Sequence, residues 1–207
     1  MSKPHIVFDL GEVLIGWTPE LAFADDFPDP AQARDWMTEI GFRDWNYLQD
    51  GGRPLSEGLA AARAAHGELA APLERYTDNF PASIRKAVPG SWDLAEALKA
   101  DGYRLLAITN WSADNWPAAL SLYPRLTTLF EDIVVSGIEG LLKPEPEIYL
   151  TLTRRNGIEP GDCIFIDDSP ANVAGAQAVG MDAIHFTDAP ALDKALQARG
   201  IVITRDA

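Results

Sequence analysis

Five short apolar runs rich in β-branched residues punctuate the chain at wide intervals: Ile6-Val7-Phe8, Leu105 to Ile108, Ile133-Val134-Val135, Ile164-Phe165-Ile166 and Ala183 to Phe186. Runs of this kind, without polar alternation, predict strands buried on both faces. Between them the pattern changes to helical spacing over residues 91–100, 113–122, 145–155, 171–179 and 191–199. Gly102, Gly157, Gly180 and Gly200 follow those stretches, where C-terminal caps belong. Alternating strands and helices predict an α/β fold: a Rossmann-like parallel sheet with helices on both faces.

One interval breaks the alternation. From Trp17 to Ala82 no strand pattern appears, while 35–40, 56–65 and 72–79 read as helices, with Ser56-Glu57 as an opening cap and Gly67 as a close. The chain therefore divides into an α/β core, residues 1–16 and 83–207, and an inserted helical unit, residues 17–82.

Composition narrows the class. A chain of 207 residues, 47% hydrophobic, can bury a large core. Its net charge of -14, with no visible cluster of Lys and Arg, argues against nucleic-acid or anionic-membrane partners. A small phosphorylated substrate remains compatible, because a metal and a few local cations dominate the field inside one pocket. Cys163 is the only cysteine, so no disulfide framework or thiolate cage forms. The opening MSKPHIVFDL runs straight into the first strand, and no apolar run approaches the roughly 20 residues of a membrane helix, so a cytoplasmic protein is expected, as a monomer or small homo-oligomer. His5, His66 and His185 are too scattered for a zinc site.

In such a sheet ligands bind at the carboxyl ends of the strands. Those ends carry Asp9 after the first strand, Thr109-Asn110 after the second and Asp167-Asp168 after the fourth, and Lys143 lies in a loop following the third. Carboxylates gathered without histidines imply a hard divalent cation with oxygen ligands, and Mg²⁺ is the natural choice. Asp9 could then attack phosphorus, with Thr109 and Asn110 donating to the phosphoryl oxygens. Ser169 is expected to cap the helix that Pro170 begins, leaving both acids for the metal.

The segments FDLGEVL, AITN, GLLKPEPEIY and FIDDSPANVAGAQAVGM, in this order, resemble the four motifs of the haloacid dehalogenase-like hydrolase superfamily. The resemblance implies that Asp9 is nucleophile and metal ligand, that the Gly11 carbonyl is a second ligand, and that Thr109 holds the phosphoryl group beside Asn110. It implies further that Lys143 balances charge, that Asp168 binds metal, and that Asp167 is a ligand or an outer partner. Asn172, one turn beyond Asp168, is expected to orient that carboxylate. The helical unit resembles a mobile cap that closes over the site and selects substrate, and Trp17 and Trp45 are expected at its pocket mouth. The implied activity is a Mg²⁺-dependent phosphatase acting on a small phosphorylated metabolite, such as a sugar phosphate, through an aspartyl-phosphate.

One residue departs from the pattern. Phosphatases of the superfamily usually carry a second Asp, a general acid and base, where this chain has Gly11, and its loss removes about two to four orders of magnitude unless another group, Glu12 among them, replaces it. Two alternatives follow: a 2-haloacid dehalogenase using Asp9 on carbon, or a non-catalytic binding protein on the same fold. The dehalogenase branch typically has Tyr at Gly11 and no paired acids at 167–168, so the two adjacent Asp residues favour a metal.

Overall fold

The computed structural model describes residues 3–203. Five strands, β1 (His5–Phe8), β2 (Leu105–Thr109), β3 (Asp132–Val135), β4 (Cys163–Asp167) and β5 (Asp182–His185), pair in parallel in the order β3-β2-β1-β4-β5. All five coincide with the apolar runs of the sequence. β1 is therefore central, with Val7 opposite Leu106 on one side and Phe165 on the other. The chain winds outward through β2 and β3, then crosses back to β4 and β5. The strand order reverses between β1 and β4, and the crevice beyond their carboxyl ends is the place for a ligand.

Period-two alternation sorts the strand side chains onto two faces. Val7, Leu106, Ile108 and Phe165 pack into one apolar cluster under the helices of the C-terminal half. Ile6, Phe8, Ala107 and Ile166 enter a second cluster that runs on into the residues following β1 and includes Phe42, Tyr76 and Phe80. The helical insertion is thus built around the same apolar mass as one face of the sheet.

That insertion comprises a 3₁₀ turn, Pro19–Phe23, then α1 (Pro30–Glu39), α2 (Phe42–Asp50), α3 (Leu55–His66), a second 3₁₀ stretch, Gly67–Arg75, and α4 (Tyr76–Ser83). The core helices are α5 (Ser91–Ala100), α6 (Trp116–Leu122), α7 (Leu126–Leu129), α8 (Ser136–Glu139), α9 (Pro146–Asn156), α10 (Pro170–Ala178) and α11 (Ala189–Gln197). None of the helices among the described residues is long and apolar enough to cross a membrane.

The structure corrects several local expectations. α2 carries no sequence prediction because its inward face, Phe42, Trp45, Asn46 and Gln49, is half polar, which hides the helical spacing. The expected helix over 72–79 is interrupted: Pro72 falls in the 3₁₀ stretch, and α4 begins only at Tyr76. Ser56 does not cap α3; the N-cap is Pro54, and the Leu55 N–H is taken by Asp114 of the core, 2.9 Å away. The expected helix from 113 starts at Trp116, because Ser112 Oγ accepts from the Asn115 N–H and turns the chain first.

Candidate active site

Four segments converge on the β1/β4 crevice. Asp9 leaves β1 with its backbone N–H bonded to Ile166 of β4 at 2.8 Å, so the central pairing itself sets its position. Its Oδ1 accepts from the Leu10 N–H at 2.7 Å and meets Lys143 Nζ at 2.8 Å. Lys143 Nζ also donates to Asp167 Oδ2 at 2.7 Å and to the Ile108 carbonyl at 3.1 Å. An ammonium has three donors, and all three are used. Lys143, Asp167 and Asp9 are 1%, 0% and 7% exposed.

Asp167 is held from every side: Oδ1 accepts from the Ser169 N–H at 2.8 Å, and Asn172 Nδ2 lies 3.0 and 3.1 Å from its two oxygens. Asn172 therefore orients Asp167, whereas the sequence spacing points to Asp168. Ser169 occupies the N-cap of α10 without a side-chain cap bond, and its own N–H donates to Asp167 Oδ1. Asp168 is half-buried, and its carbonyl oxygen lies 2.9 Å from His185 Nε2.

Asp9, Asp167 and Asp168 each offer a carboxylate oxygen, and these atoms lie within 4.8 Å of one another. Burial pushes the Asp9 carboxyl up to about 8; Lys143 opposes the rise, and Asp167 adds to it. Asp168 is raised as well, by burial first and then by Asp167. Burial works against the charge on Lys143, but Asp9 and Asp167 outweigh it and hold the ammonium above its ordinary value. One ammonium facing three carboxylates leaves negative charge uncompensated, and a cation would draw these acids back to their ionised forms. The donor set is all oxygen, which fits Mg²⁺.

Thr109 sits 1% exposed at the end of β2 with its hydroxyl unpartnered. Asn110 differs from expectation: its amide is engaged by the backbone of Lys143, accepting from N at 2.9 Å and donating to O at 3.0 Å. At Gly11 a Cβ would meet no atom within 4 Å.

Beside this cluster a cavity of about 110 Å³ opens between insertion and core. The core contributes Gly11, Glu12, Asn110, Trp111, Ser112 and Asn115; Trp17, Asn46, Asp50 and Phe80 close the other side. Trp17 lines this cavity. Trp45 is not in this wall: it packs inside the insertion against Phe42 and Tyr76, with its indole N–H on the Gly58 carbonyl at 2.8 Å. Glu12, at φ 55, turns its carboxylate back onto the Trp17 N–H. Asn46 and Asp50 escape sequence reasoning because they lie on α2, a helix without a legible pattern; Asn46 Nδ2 donates to Asp50 Oδ2 at 2.8 Å.

A family model described as haloacid dehalogenase-like hydrolase matches residues 4–180. Sesquiterpene phosphatase astK of Aspergillus oryzae is 27% identical over 88% of this chain and 89% of its own length, and a phosphoglycolate phosphatase of Mesorhizobium japonicum is 29% identical over 89% and 82%. Flavin mononucleotide hydrolase 1 of Arabidopsis thaliana, a chloroplast protein, is 36% identical over 56% of the chain, which spans only 46% of that relative. A Bacteroides thetaiotaomicron enzyme solved with magnesium and inorganic phosphate superposes with a TM-score of 0.69 at 22% identity, covering 90% of this chain and 96% of that one, which establishes a shared fold.

Proposed function

The chain belongs to the haloacid dehalogenase-like hydrolase family, and from that premise we infer that it is a Mg²⁺-dependent phosphatase of small phosphorylated metabolites. The observation that carries this reading is the contact of Lys143 Nζ with both Asp9 and Asp167, at 2.8 and 2.7 Å, inside a group of three carboxylates. Two phosphatases similar over most of their own length agree with it. Asp9, Asp168 and the Gly11 carbonyl would hold Mg²⁺ directly. Asp167, whose oxygens already take bonds from Lys143, Ser169 and Asn172, supports them from behind. The ion, when bound, neutralises charge on the phosphoryl oxygens and on the carboxylates.

The chain's own groups carry the rest. An Asp9 carboxylate oxygen forms a bond to phosphorus while the bond from phosphorus to the leaving oxygen breaks, giving an aspartyl-phosphate that water then cleaves. Lys143 favours the charged form of Asp9 against burial and holds the carboxylate in place. The unpartnered Thr109 hydroxyl is free to donate to a phosphoryl oxygen. The insertion, residues 17–82, acts as a cap over the core formed by 1–16 and 83–207 and selects the leaving group.

The test is release of inorganic phosphate from a panel of phosphate monoesters, run with Mg²⁺ and with chelator, alongside 2-chloropropionate. Metal-dependent release abolished in Asp9→Asn is expected. Chloride release insensitive to chelator would overturn the reading in favour of a dehalogenase.

A further inference from the structure

With glycine at position 11, some group other than the usual second Asp must give the leaving oxygen its proton. The space beside Gly11 is open, since a Cβ there would meet nothing within 4 Å, and Gly11 itself lines the cavity between insertion and core. Among the described residues that line this cavity the ionisable side chains are Glu12 and Asp50, and none is Lys, Arg, His, Cys or Tyr. Glu12 is exposed and spends its carboxylate on the Trp17 N–H. Asp50 comes from the other side, at the end of α2.

Two other wall residues fix the Asp50 carboxyl in place. Asn46 Nδ2 donates to its Oδ2 at 2.8 Å, and the Ser112 N–H of the core donates to the same carboxyl. Asn46 is held in turn by the Tyr76 hydroxyl, which donates to its Oδ1 at 3.2 Å. The Asp50 carbonyl oxygen is taken elsewhere, by Ser136 Oγ at 2.6 Å, so the side chain is what Asp50 offers to the cavity. That bond, with Asp114 accepting from the Leu55 N–H at 2.9 Å, ties this end of the insertion to the core. Two donors leave acceptor sites of an ionised carboxyl unfilled. Burial raises the Asp50 carboxyl to about 7, with the Ser112 bond opposing the rise. The neighbouring Tyr76 stays neutral, its hydroxyl held well above its ordinary value by burial and then by Asp50. A group near 7 exists in both forms at neutral pH, as one that gives a proton and later takes one must. At about 110 Å³ the cavity holds a small leaving group or a few waters, and one water is enough to relay a proton.

We propose that Asp50 is the proton carrier of the reaction, supplied by the insertion in place of the side chain that Gly11 lacks. As the bond from phosphorus to the leaving oxygen breaks and Asp9 bonds to phosphorus, the Asp50 carboxyl gives its proton to that oxygen. Asp50, now a carboxylate, then takes a proton from the water whose oxygen bonds to phosphorus and releases Asp9. Both side chains return to their starting forms, and one water is consumed per ester. The proposal rests on the phosphatase reading of the adjoining site, with which the cavity shares Gly11 and Asn110.

Benzyl phosphate and p-nitrophenyl phosphate test it in the presence of Mg²⁺. They are similar in size, but the benzyl alkoxide needs a proton to leave and the nitrophenolate does not. Asp50→Asn, which keeps the size of the side chain, is expected to slow single-turnover release of benzyl alcohol by about 10²–10⁴-fold and that of nitrophenolate by less than about ten-fold. On p-nitrophenyl phosphate the variant should then show a burst of nitrophenolate, because the aspartyl-phosphate waits for a base. Equal slowing with both esters, or slowing with neither, overturns the proposal and leaves the phosphatase reading intact. Gly11→Asp in the Asp50→Asn background should restore benzyl phosphate hydrolysis by at least about ten-fold, and should gain far less in the wild type, where Asp50 already acts. A site that was merely displaced or misfolded would not be rescued in this way. No recovery, or the same gain in both backgrounds, overturns the proposal. If the wild type releases phosphate from no ester, these two included, the phosphatase reading fails and the role of Asp50 fails with it.

Discussion

Asn110 grips Lys143 by its main chain, Oδ1 accepting from the Lys143 N–H at 2.9 Å and Nδ2 donating to the Lys143 carbonyl at 3.0 Å. An amide side chain here takes the place of a neighbouring strand and ties the Lys143 loop to the end of β2. Asn110→Ala is expected to lower stability by about 1–3 kcal/mol. With the ammonium displaced, phosphate release should drop by about 10²-fold, the usual cost of small misplacements at a reacting centre. Urea unfolding and kcat on one ester check both, and an unaltered kcat refutes the positioning role.

Gly11 has open space where a side chain would project, and its φ lies outside the left-handed region. Gly11→Asp should therefore fold normally and install the missing proton donor. If nothing else supplies that proton, kcat on esters with poor leaving groups rises by up to about two to four orders of magnitude. Esters with good leaving groups, such as p-nitrophenyl phosphate, gain little. Equal gains on both would show that the new carboxylate acts in some other way.

Asp50 gives a pH signature. Its ordinary value is 3.8, and burial raises it to about 7 in the folded protein. Between these values the native state binds more protons than the unfolded chain. The contribution is fully present below about pH 3.8 and is lost as pH rises to about 7. Asp50→Asn has nothing to titrate at this position, so the wild type should lose stability relative to the variant across that window. Parallel profiles from urea midpoints would contradict the assignment.

Gly175 shows how packing reaches the chemistry. A Cβ there would stand 2.6 Å from the Pro144 carbonyl oxygen and 3.0 Å from the Tyr149 hydroxyl. Pro144 follows Lys143, so relief of the clash must move the loop carrying the ammonium. Gly175→Ala is expected to destabilise by about 1–3 kcal/mol and to lower kcat together with stability. A variant that loses stability but keeps full activity would show that the loop moves independently of α10.

The sheet was legible because its inner strands are buried on both faces and so spell unbroken apolar runs, as Ile164-Phe165-Ile166 does, while the edge strands β3 and β5 keep shorter apolar runs between partly exposed ends. The gathering of Asp9, Asp167 and Asp168 was legible because the ends of β1 and β4 bring them together from far apart in the chain, and Lys143 joins them from the loop after α8. What stayed hidden depends on contacts that local pattern does not record. α2 buries Asn46 and Gln49 as well as Phe42, so its periodicity is masked. Asn172 is spaced to reach Asp168 along a straight helix, but Asp167 turns its oxygens into the first turn of α10. Trp45 and Trp17 are chemically alike in sequence, and only the packing of Phe42 and Tyr76 shows that one fills an interior while the other faces a cavity.

The middle place of β1 in the sheet separates what must hold still from what is free to vary. Its amides are bonded on both flanks and shielded by apolar layers above and below, so they should be among the last in the molecule to exchange with deuterated solvent. Trp111, Ser112 and Asn115 instead lie in the connection between β2 and α6, outside the sheet. A lineage built on this plan can reshape the cavity wall while Asp9, at the end of that strand, stays put.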